Sequence, residues 1–325
     1  MSAYRFCRSD DIGLLVDALN RCWAPYFPDE PPMTPAAFKR SIRDLQVWCS
    51  SCMVVFSGAD PIGVLIGAKR PSGTLVHKIA VHPDHRRQGH GRHLLASLGS
   101  KLAILGPPRI VAEVPETLAP ACELFSASGY VHEALLTDYV FHPTAHTARR
   151  GGPGQRDEND VREVVDPESR VPSPESRVPS FVIPVTVDDL AANGLLGEAP
   201  PSPLASAGQV HPQVCWERSV ETLTARKDDI AGLAVASDER IEAYLLYVKP
   251  EVNPAAFTEI VSLRTFVEDG GARMRHLLSR LRAQGMRTLR FPKVHPAEIS
   301  TELLETLAFR PAGAHALYAA KARSD

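Results

Sequence analysis

The chain has 325 residues, enough for two domains that each bury a core of their own. Its formal net charge of -2 provides no basic field of the kind that attracts nucleic acids or anionic membranes. No apolar run approaches the roughly 20 residues that span a bilayer, and acids stand among the first residues, where a secretory signal would be apolar. We therefore expect a cytoplasmic protein, monomeric or homodimeric, with neither a membrane nor a nucleic acid as its partner.

The first half of the sequence alternates between strand and helix patterns. A short strand at residues 4–7 precedes a helix with acids in its first turn, and residues 53–69 form two apolar runs around a Gly-Ala-Asp-Pro turn, which predicts a hairpin. Residues 75–81 (LVHKIAV) predict a strand, residues 92–105 an apolar-periodic helix, and residues 109–114 another strand. This alternation is typical of an α/β unit.

Residues 143–180 have the composition of a flexible linker. The heptad PESRVPS occurs twice in direct succession at residues 167–180, within a segment rich in glycine, proline and charge that has no aromatic residue. Such a segment buries too little apolar surface to offset the entropy lost on ordering. We predict a disordered linker between a first domain at residues 1–142 and a second at residues 181–325.

The second half repeats the element order of the first. Residues 231–248 form two apolar runs around a polar turn, as residues 53–69 do. The helical segment Gly91–Leu98 (GRHLLASL) has a counterpart in Met274–Leu281 (MRHLLSRL) with the same apolar spacing. Matching order and spacing over several elements predict two copies of one α/β unit in tandem.

Glycines occur where the helix at residues 92–105 is predicted to begin. The backbone N–H groups at the start of a helix have no intrahelical partner, and they lie at the positive end of the helix dipole. Glycine removes the Cβ atom that would keep a phosphate at a distance, and arginine pairs with phosphate oxygens. The turn is therefore predicted to bind a diphosphate through Arg86, Arg87, Gln88, Gly89, His90, Gly91 and Arg92.

Two common phosphate-binding loops do not fit this turn. No Lys-Ser or Lys-Thr follows the glycines, as a P-loop requires, and Leu94 stands where a dinucleotide-binding loop has its third glycine. The pattern [QR]-x-x-G-x-[GA] after a strand that ends in Ala-Val-His-Pro resembles motif A of the GNAT superfamily of N-acetyltransferases. The downstream segment Ala121–Tyr130 (A-x-x-L-F-x-x-x-G-Y) also resembles that family.

The resemblance covers residues 4–142. The second unit fits the same fold, but its motifs are degenerate. It implies two tandem GNAT-like acyl-CoA N-acyltransferase domains of the α/β (α+β) class with a mixed sheet. It also implies acetyl-CoA as a co-substrate, no metal, and direct transfer of the acetyl group to a primary amine of a small molecule or peptide. The two-unit chain would then hold its active site in the first half.

By the same resemblance, the main chain of Ile79, Ala80 and Val81 would pair with the pantetheine arm of the coenzyme. Glu113 stands where many relatives have a glutamate that acts as the base, although such a glutamate can also order water or bind the substrate. His77 lies two residues before Ile79, which predicts the same face of the strand. A hydrogen-bonded structural histidine is the alternative for His77.

The sequence departs from the family pattern at Phe125. Relatives often have a tyrosine there, whose hydroxyl protonates the departing thiolate, whereas phenylalanine has no proton to give. Either Tyr139 or Tyr130 takes over as the acid, the thiolate leaves without protein protonation, or catalysis is slow. Phe125 itself is expected to pack beside the coenzyme arm.

The second unit lacks the features of a coenzyme loop. When Met274–Leu281 is matched with Gly91–Leu98, Ala272 and Met274 replace Gly89 and Gly91. Leu304 replaces Phe125. Glu268 and Asp269 would repel a diphosphate. We therefore expect the second unit to bind acetyl-CoA poorly and to shape the acceptor pocket or a partner surface instead.

Two other functions remain open on the sequence. One is a non-catalytic acyl-CoA-binding or sensor protein. Two features favour it: position 125 is a phenylalanine and not a tyrosine, and the motifs of the second unit are degenerate. The other is a protein-lysine or N-terminal acetyltransferase that acts on macromolecules.

Overall fold

The computed structural model describes residues 2–142, 181–196, 214–238, 240–250, 257–286 and 288–323, and the linker predicted at residues 143–180 lies outside them. The first half has strands β1 (Ser2–Phe6), β2 (Met53–Ser57), β3 (Asp60–Arg70), β4 (Gly73–Val81), β5 (Arg109–Pro115) and β6 (Val131–Phe141), with helices α1 (Ile12–Cys22), α2 (Pro35–Leu45), α3 (His90–Leu105) and α4 (Ala119–Ala127). The second half has strands β7 (Phe181–Val185), β8 (Ile230–Ala236), β9 (Ile241–Val248), β10 (Thr258–Thr265), β11 (Leu289–Val294) and β12 (Phe309–Lys321), with helices α5 (Val187–Ala192), α6 (Val220–Ala225), α7 (Ala272–Ala283) and α8 (Thr301–Thr306).

All described strands belong to one mixed sheet, which confirms the predicted fold class. The strand order is β1-β2-β3-β4-β5-β12-β6-β11-β10-β9-β8-β7. Most neighbours are antiparallel, while β4 with β5 and β10 with β11 are parallel. The hairpin β2–β3, the strand β4 and the strand β5 follow the apolar patterns of the sequence. Helix α3 begins at His90, two residues earlier than predicted, because Gly89 serves as its N-cap in a left-handed conformation.

The last strands of the two halves are exchanged. β12 pairs with β5 from His315↔Pro115 to Lys321↔Arg109, so it lies inside the sheet of the first half. β6 in turn pairs with β11, through contacts that include Phe291↔Tyr139. The sheet of each half is therefore completed by a strand from the other.

The parallel strands β4 and β5 separate along their length. They pair only at Thr74↔Ile110 and Leu75↔Val111, near the start of each strand. Beyond this point their facing edges have no mutual backbone pairing, and α3 begins at the open end. A parallel sheet that opens next to a helix N-terminus forms a crevice where a ligand can reach main-chain groups.

The two faces of the sheet in the first half carry separate cores. Helices α3 and α4 cover one face with Leu94, Leu98 and Phe125, and Tyr318 of β12 packs among them. Helices α1 and α2 cover the opposite face with Leu15, Leu19 and Phe38, and Trp216 from the second half packs there. Both cores of the first half therefore depend on residues of the second half. No helix of the described ranges is long and apolar enough to cross a membrane.

Candidate active site

The turn before α3 presents unbonded backbone N–H groups. Arg87 and Gly89 both have positive φ, at 62° and 84°, so the chain folds back between them. The first helical bond runs from the N–H of His93 to the carbonyl of Gly89, at 3.0 Å. Within the ranges that the structure describes, no acceptor is bonded to the N–H groups of residues 87–92. Successive amides in such a turn form a concave anion site at the positive end of the helix.

A cavity of about 650 Å³ opens in front of this turn. Its wall combines the turn with the open end of β4, the start of α4 and the aromatic residues that follow α1. The lining residues are Trp23, Tyr26, Phe27, Ile79, Ala80, Val81, His85, Arg86, Arg87, Gly89, His90, Gly91, Arg92, Leu118, Pro120, Ala121, Glu123, Leu124 and Ala127. All the residues predicted to bind the coenzyme except Gln88 and Phe125 therefore line one cavity.

The two glycines of the turn serve different purposes. A Cβ atom on Gly89 would meet nothing within 4 Å, so glycine is favoured there by its φ of +84° rather than by space. A Cβ atom on Gly91 would lie 3.0 Å from Cδ2 of Leu124 in α4. Glycine at position 91 therefore lets α4 approach the start of α3 and narrows the cavity between the two helices.

The open edge of β4 directs alternate main-chain groups into the crevice. The N–H of His82 donates to the carbonyl of Ile62 on β3 at 2.8 Å, so Ala80, two residues earlier, also turns its polar groups to β3. Ile79 and Val81 therefore turn theirs the other way. The hydroxyl of Tyr26 donates to the carbonyl of Val81 at 2.6 Å, which fixes the end of this edge.

The side chains of the turn divide between solvent and core. The ring of His90 is buried, and its Nδ1 lies 2.7 Å from the hydroxyl of Tyr4. Burial lowers the pKa of His90, so its neutral form is favoured and its contribution to anion binding is the backbone N–H. Arg87 and Arg92 are exposed, and Arg87 approaches Glu123 only to 3.9 Å. Their guanidinium groups remain accessible to an anion in the cavity.

Phe125 lies in the core behind the cavity wall. Its ring stacks on that of Tyr318 with centroids 5.8 Å apart, and the ring of Tyr130 meets it edge-on at 5.1 Å. Burial raises the pKa of Tyr130, which keeps its hydroxyl protonated. The neighbourhood of Phe125 thus includes a tyrosine from the exchanged strand β12, which the sequence alone gives no means of placing there.

The structure does not bring Tyr139 to the cavity. Because β6 pairs with β11, Tyr139 lies in the core of the second half, and its hydroxyl is 3.1 Å from that of Thr301 at the start of α8. The prediction of Tyr139 as an acid assumed that β6 stays with the first half. The strand exchange removes that assumption.

Glu113 faces the second half of the chain. Its Oε1 accepts a bond from the backbone N–H of Trp216 at 2.7 Å, and its Oε2 lies 3.1 Å from Nζ of Lys293. Only 5% of its side chain is exposed. The carboxylate therefore connects β5 to two segments of the second half, and both of its oxygens have partners.

The strand β4 contains a bulge at His77. Ile66 of β3 pairs with Lys78 and Gly67 pairs with Val76, so His77 is the extra residue that breaks the alternation. The two-residue spacing therefore no longer places His77 on the face of Ile79. Burial lowers the pKa of His77 to about 4, and the charge of Glu217 opposes this shift. At neutral pH the ring is uncharged.

Three further charged residues surround Glu113 and His77. Nζ of Lys293 lies 3.2 Å from Oε1 of Glu217, in addition to its contact with Glu113. Burial alone would lower the pKa of Lys293, but the two carboxylates outweigh it and raise the pKa. Lys78 lies over the ring of Trp23 at 3.8 Å. Sequence reasoning missed Glu217 and Lys293, since neither stands in a motif and both come from the second half.

The equivalent turn of the second half is occupied by its own carboxylate. The side chain of Asp269 accepts bonds from the N–H groups of Gly271, Ala272 and Arg273 at 2.9, 3.1 and 2.9 Å. A Cβ atom on Gly271 would lie 2.8 Å from Cδ1 of Leu303. Gly271 caps α7 with a φ of +79°, one residue earlier than the helix match predicts. The backbone N–H groups that have no acceptor in the turn of the first half are thus bonded to Asp269 in the equivalent turn of the second half.

Comparisons with known proteins agree with the predicted fold. Residues 15–130 match the model of the acetyltransferase (GNAT) family, and no curated protein matches the sequence. The fold is similar to that of a tandem GNAT protein from the clavulanic acid biosynthesis pathway, with a TM-score of 0.59 and 17% identity over 100% of both chains. It is also similar to a GCN5-related N-acetyltransferase from Sphaerobacter thermophilus, with a TM-score of 0.59 and 14% identity over 99% of this chain and 96% of that one. A probable N-acyltransferase from Enterococcus faecalis gives a TM-score of 0.59 and 12% identity over 100% of this chain and 73% of that one.

Residues 15–130 are thus similar to the GNAT acetyltransferase family, and this match supports an acyltransferase. The chain as a whole has a tandem GNAT fold, as its sequence predicts. Among the described residues, no group of three or more His, Cys, Asp or Glu side chains is arranged to hold a metal ion.

Proposed function

We propose that the protein is an N-acetyltransferase that moves the acetyl group of acetyl-CoA to a primary amine. The observation that carries the proposal is the row of unbonded N–H groups at residues 87–92, which faces a cavity of about 650 Å³. The pyrophosphate of the coenzyme would bind these amides, with Arg87 and Arg92 adding charge. The pantetheine arm would follow the edge of β4 into the crevice.

The main chain of Ile79 suits the thioester end of the coenzyme. Its polar groups point into the crevice, and an N–H there can donate to the thioester oxygen as negative charge develops on it. The neutral amine nitrogen attacks the carbonyl carbon, the C–N bond forms, and the C–S bond breaks. The amine loses one proton, and coenzyme A leaves as a thiolate that takes up one proton.

The proton of the amine must pass to a base in the crevice or to water. Glu113, predicted for this role, has both oxygens bonded to the second half. Burial lowers the pKa of His77 to about 4, so its ring is neutral at pH 7 and has a nitrogen free of a proton. We propose His77 as the proton acceptor and Glu113 as the group that holds the two halves in register around it.

Thiol release tests the proposal directly. Purified protein is incubated with acetyl-CoA and a panel of primary amines that includes small molecules and lysine-containing peptides, and free coenzyme A is measured with a thiol reagent. We expect release that depends on one class of amine and on acetyl-CoA. Release with peptides alone would indicate a protein acetyltransferase.

A non-catalytic acyl-CoA sensor is the second candidate, and the burial of Phe125 favours it. Position 125, where relatives often have a tyrosine, is a buried phenylalanine that has no hydroxyl, and Glu113 is bonded on both oxygens. Binding of acetyl-CoA without amine-dependent thiol release over the whole panel would establish the sensor and refute the transferase.

A further inference from the structure

An aromatic wall closes one side of the coenzyme cavity. It is formed by Trp23, Tyr26 and Phe27, which follow α1 and line the cavity together with the turn before α3. The rings of Trp23 and Phe27 stack, with their centroids 4.4 Å apart and an angle of 19° between their planes. Cavities that bind small molecules are lined mainly by apolar and aromatic side chains. Neither ring of the stacked pair has a part in the proposed binding of the pyrophosphate or in the transfer of the proton.

The stacked pair lies on the face of the sheet opposite to α3 and α4. Trp23 packs against the core beneath α1 and α2. Its ring contacts Lys78, which is paired with Ile66 of that same core. Leu124 of α4 also lines the cavity, and it packs against the core of the other face. The cavity therefore passes the open edge of β4 and has walls on both faces of the sheet.

The stacked pair also lies away from the coenzyme turn. The hydroxyl of Tyr26 donates to the carbonyl of Val81, at the end of β4 that is nearest the turn. The Trp23 ring instead contacts Lys78, three residues earlier in the strand and one residue before Ile79. In the proposed reaction the thioester lies at Ile79 and the rest of the coenzyme extends from there to the turn. The stacked pair is therefore on the side of the thioester that is left for the acceptor.

Phe27 has the ring face that is open to a ligand. Both faces of the Trp23 ring are covered, one by Phe27 and the other by the ammonium group of Lys78 at 3.8 Å. The indole N–H of Trp23 donates to Glu30 at 3.0 Å, which fixes the ring that supports Phe27. Among the described residues, no second ring stacks on Phe27, and Phe27 belongs to none of the hydrophobic cores. A half-buried phenylalanine that lines a cavity without packing into a core leaves apolar surface for a ligand.

We propose that the acceptor is a primary amine that carries an aromatic ring, and that this ring stacks on Phe27 with Trp23 behind it. The inference rests on the proposed acetyltransferase function and specifies the substrate class of that site. The ring of the acceptor forms the third layer of the stack, and its amine extends towards the thioester. Apolar surroundings favour the neutral form of an amine, which is the form that attacks. Phe27 and Trp23 then determine specificity and take no part in the transfer itself.

The test is steady-state thiol release with 2-phenylethylamine and ethylamine, two primary amines that differ by the ring. The wild type is expected to have a kcat/KM about 10- to 100-fold higher for 2-phenylethylamine, the effect of burying one ring. Phe27→Ala should raise KM for 2-phenylethylamine about tenfold, because the ring of the amine loses its stacking partner. KM for ethylamine and KM for acetyl-CoA should stay within about twofold, since neither depends on that contact.

Phe27→Tyr keeps the ring and is expected to keep most of the wild-type KM. Phe181→Ala is the matched control, since it removes an exposed phenylalanine from β7 at the far edge of the sheet, and it should match the wild type. If folded Phe27→Ala has a higher KM for acetyl-CoA and an unchanged KM for 2-phenylethylamine, the aromatic wall binds the coenzyme and the inference is wrong. Equal turnover of the two amines by the wild type would also overturn the inference and leave the transferase proposal intact. Absence of amine-dependent thiol release over the whole panel would refute the proposed function, and this inference with it.

Discussion

Gly91 offers a direct test of the coenzyme site, since it lies at the start of α3 with no room for a side chain. In Gly91→Glu, the new Cβ lies 3.0 Å from Leu124 and a carboxylate is added in front of the open amides. At about 5 Å from a diphosphate with two charges and an effective dielectric constant of about 20, the repulsion is roughly 7 kcal/mol before screening. Even half of this weakens binding by more than about 100-fold.

Thermal unfolding with and without acetyl-CoA measures this effect. At a coenzyme concentration of about 100 times Kd, binding stabilises the wild type by about 2.7 kcal/mol, or roughly 4 °C in Tm for a chain of this length. A 100-fold weaker Kd reduces the stabilisation to about 0.4 kcal/mol, which shifts Tm by roughly 1 °C.

Gly99→Glu is the matched control for Gly91→Glu. Gly99 lies in the same helix with open space around it, the nearest atom to its Cβ position being 4.0 Å away. This variant should keep the full coenzyme-dependent shift. If folded Gly91→Glu also keeps the full shift, the amides of residues 87–92 do not bind the pyrophosphate and the proposed site is wrong.

Three further predictions concern the contacts around the site. Lys293→Met should destabilise the protein by about 3–5 kcal/mol in urea unfolding at pH 7, because two carboxylates lose their cation. Since Lys293 lowers the pKa of Glu217 from its ordinary 4.5 to about 2, the wild-type pair stabilises the fold fully above pH 4.5 and loses this contribution as the pH falls from 4.5 towards 2. The penalty of the variant should therefore shrink over that range, and a pH-independent penalty would contradict the pairing. Asp269→Ala should lose about 1–2 kcal/mol of stability as three amides lose their acceptor, while calorimetry still finds one acetyl-CoA per chain because Leu303 covers that turn; a second site would refute the comparison of the two turns. Tyr26→Phe removes the bond that fixes the end of β4 and should raise KM for acetyl-CoA about fivefold, equivalent to about 1 kcal/mol; an unchanged KM would show that the strand edge needs no such support.

Local sequence patterns predict most of the elements and the glycine-containing turn before α3. The turn could be predicted from the sequence because its glycines, its arginines and the helix that follows are contiguous. Their chemistry depends on local backbone geometry alone. The repeat of element order likewise predicted the tandem fold. His77 shows the limit of this reasoning, since the two-residue alternation of a strand fails at a bulge and a single sequence gives no signal for the bulge.

The contacts between the halves could not be predicted in the same way. The sequence predicts Tyr139 near the active site because β6 belongs to the first half of the chain. In the structure, β6 pairs with β11 of the second half. Lys293 meets Glu113 only after the sheet has joined residues 180 positions apart, and Glu217 contacts Lys293. Such pairings depend on tertiary structure, and neither residue stands in a motif that spacing alone would reveal.

The exchange of β6 and β12 affects how the protein can be cut and how it folds. Residues 109–115 obtain their edge partner only from residues 315–321, so the crevice for the coenzyme stays incomplete until the far end of the sheet has been synthesised. Loops that close so late slow folding, and an unpaired β5 is exposed in the meantime. Cleavage between the halves should leave two interlocked fragments that copurify, whereas either fragment expressed alone would retain an open strand edge.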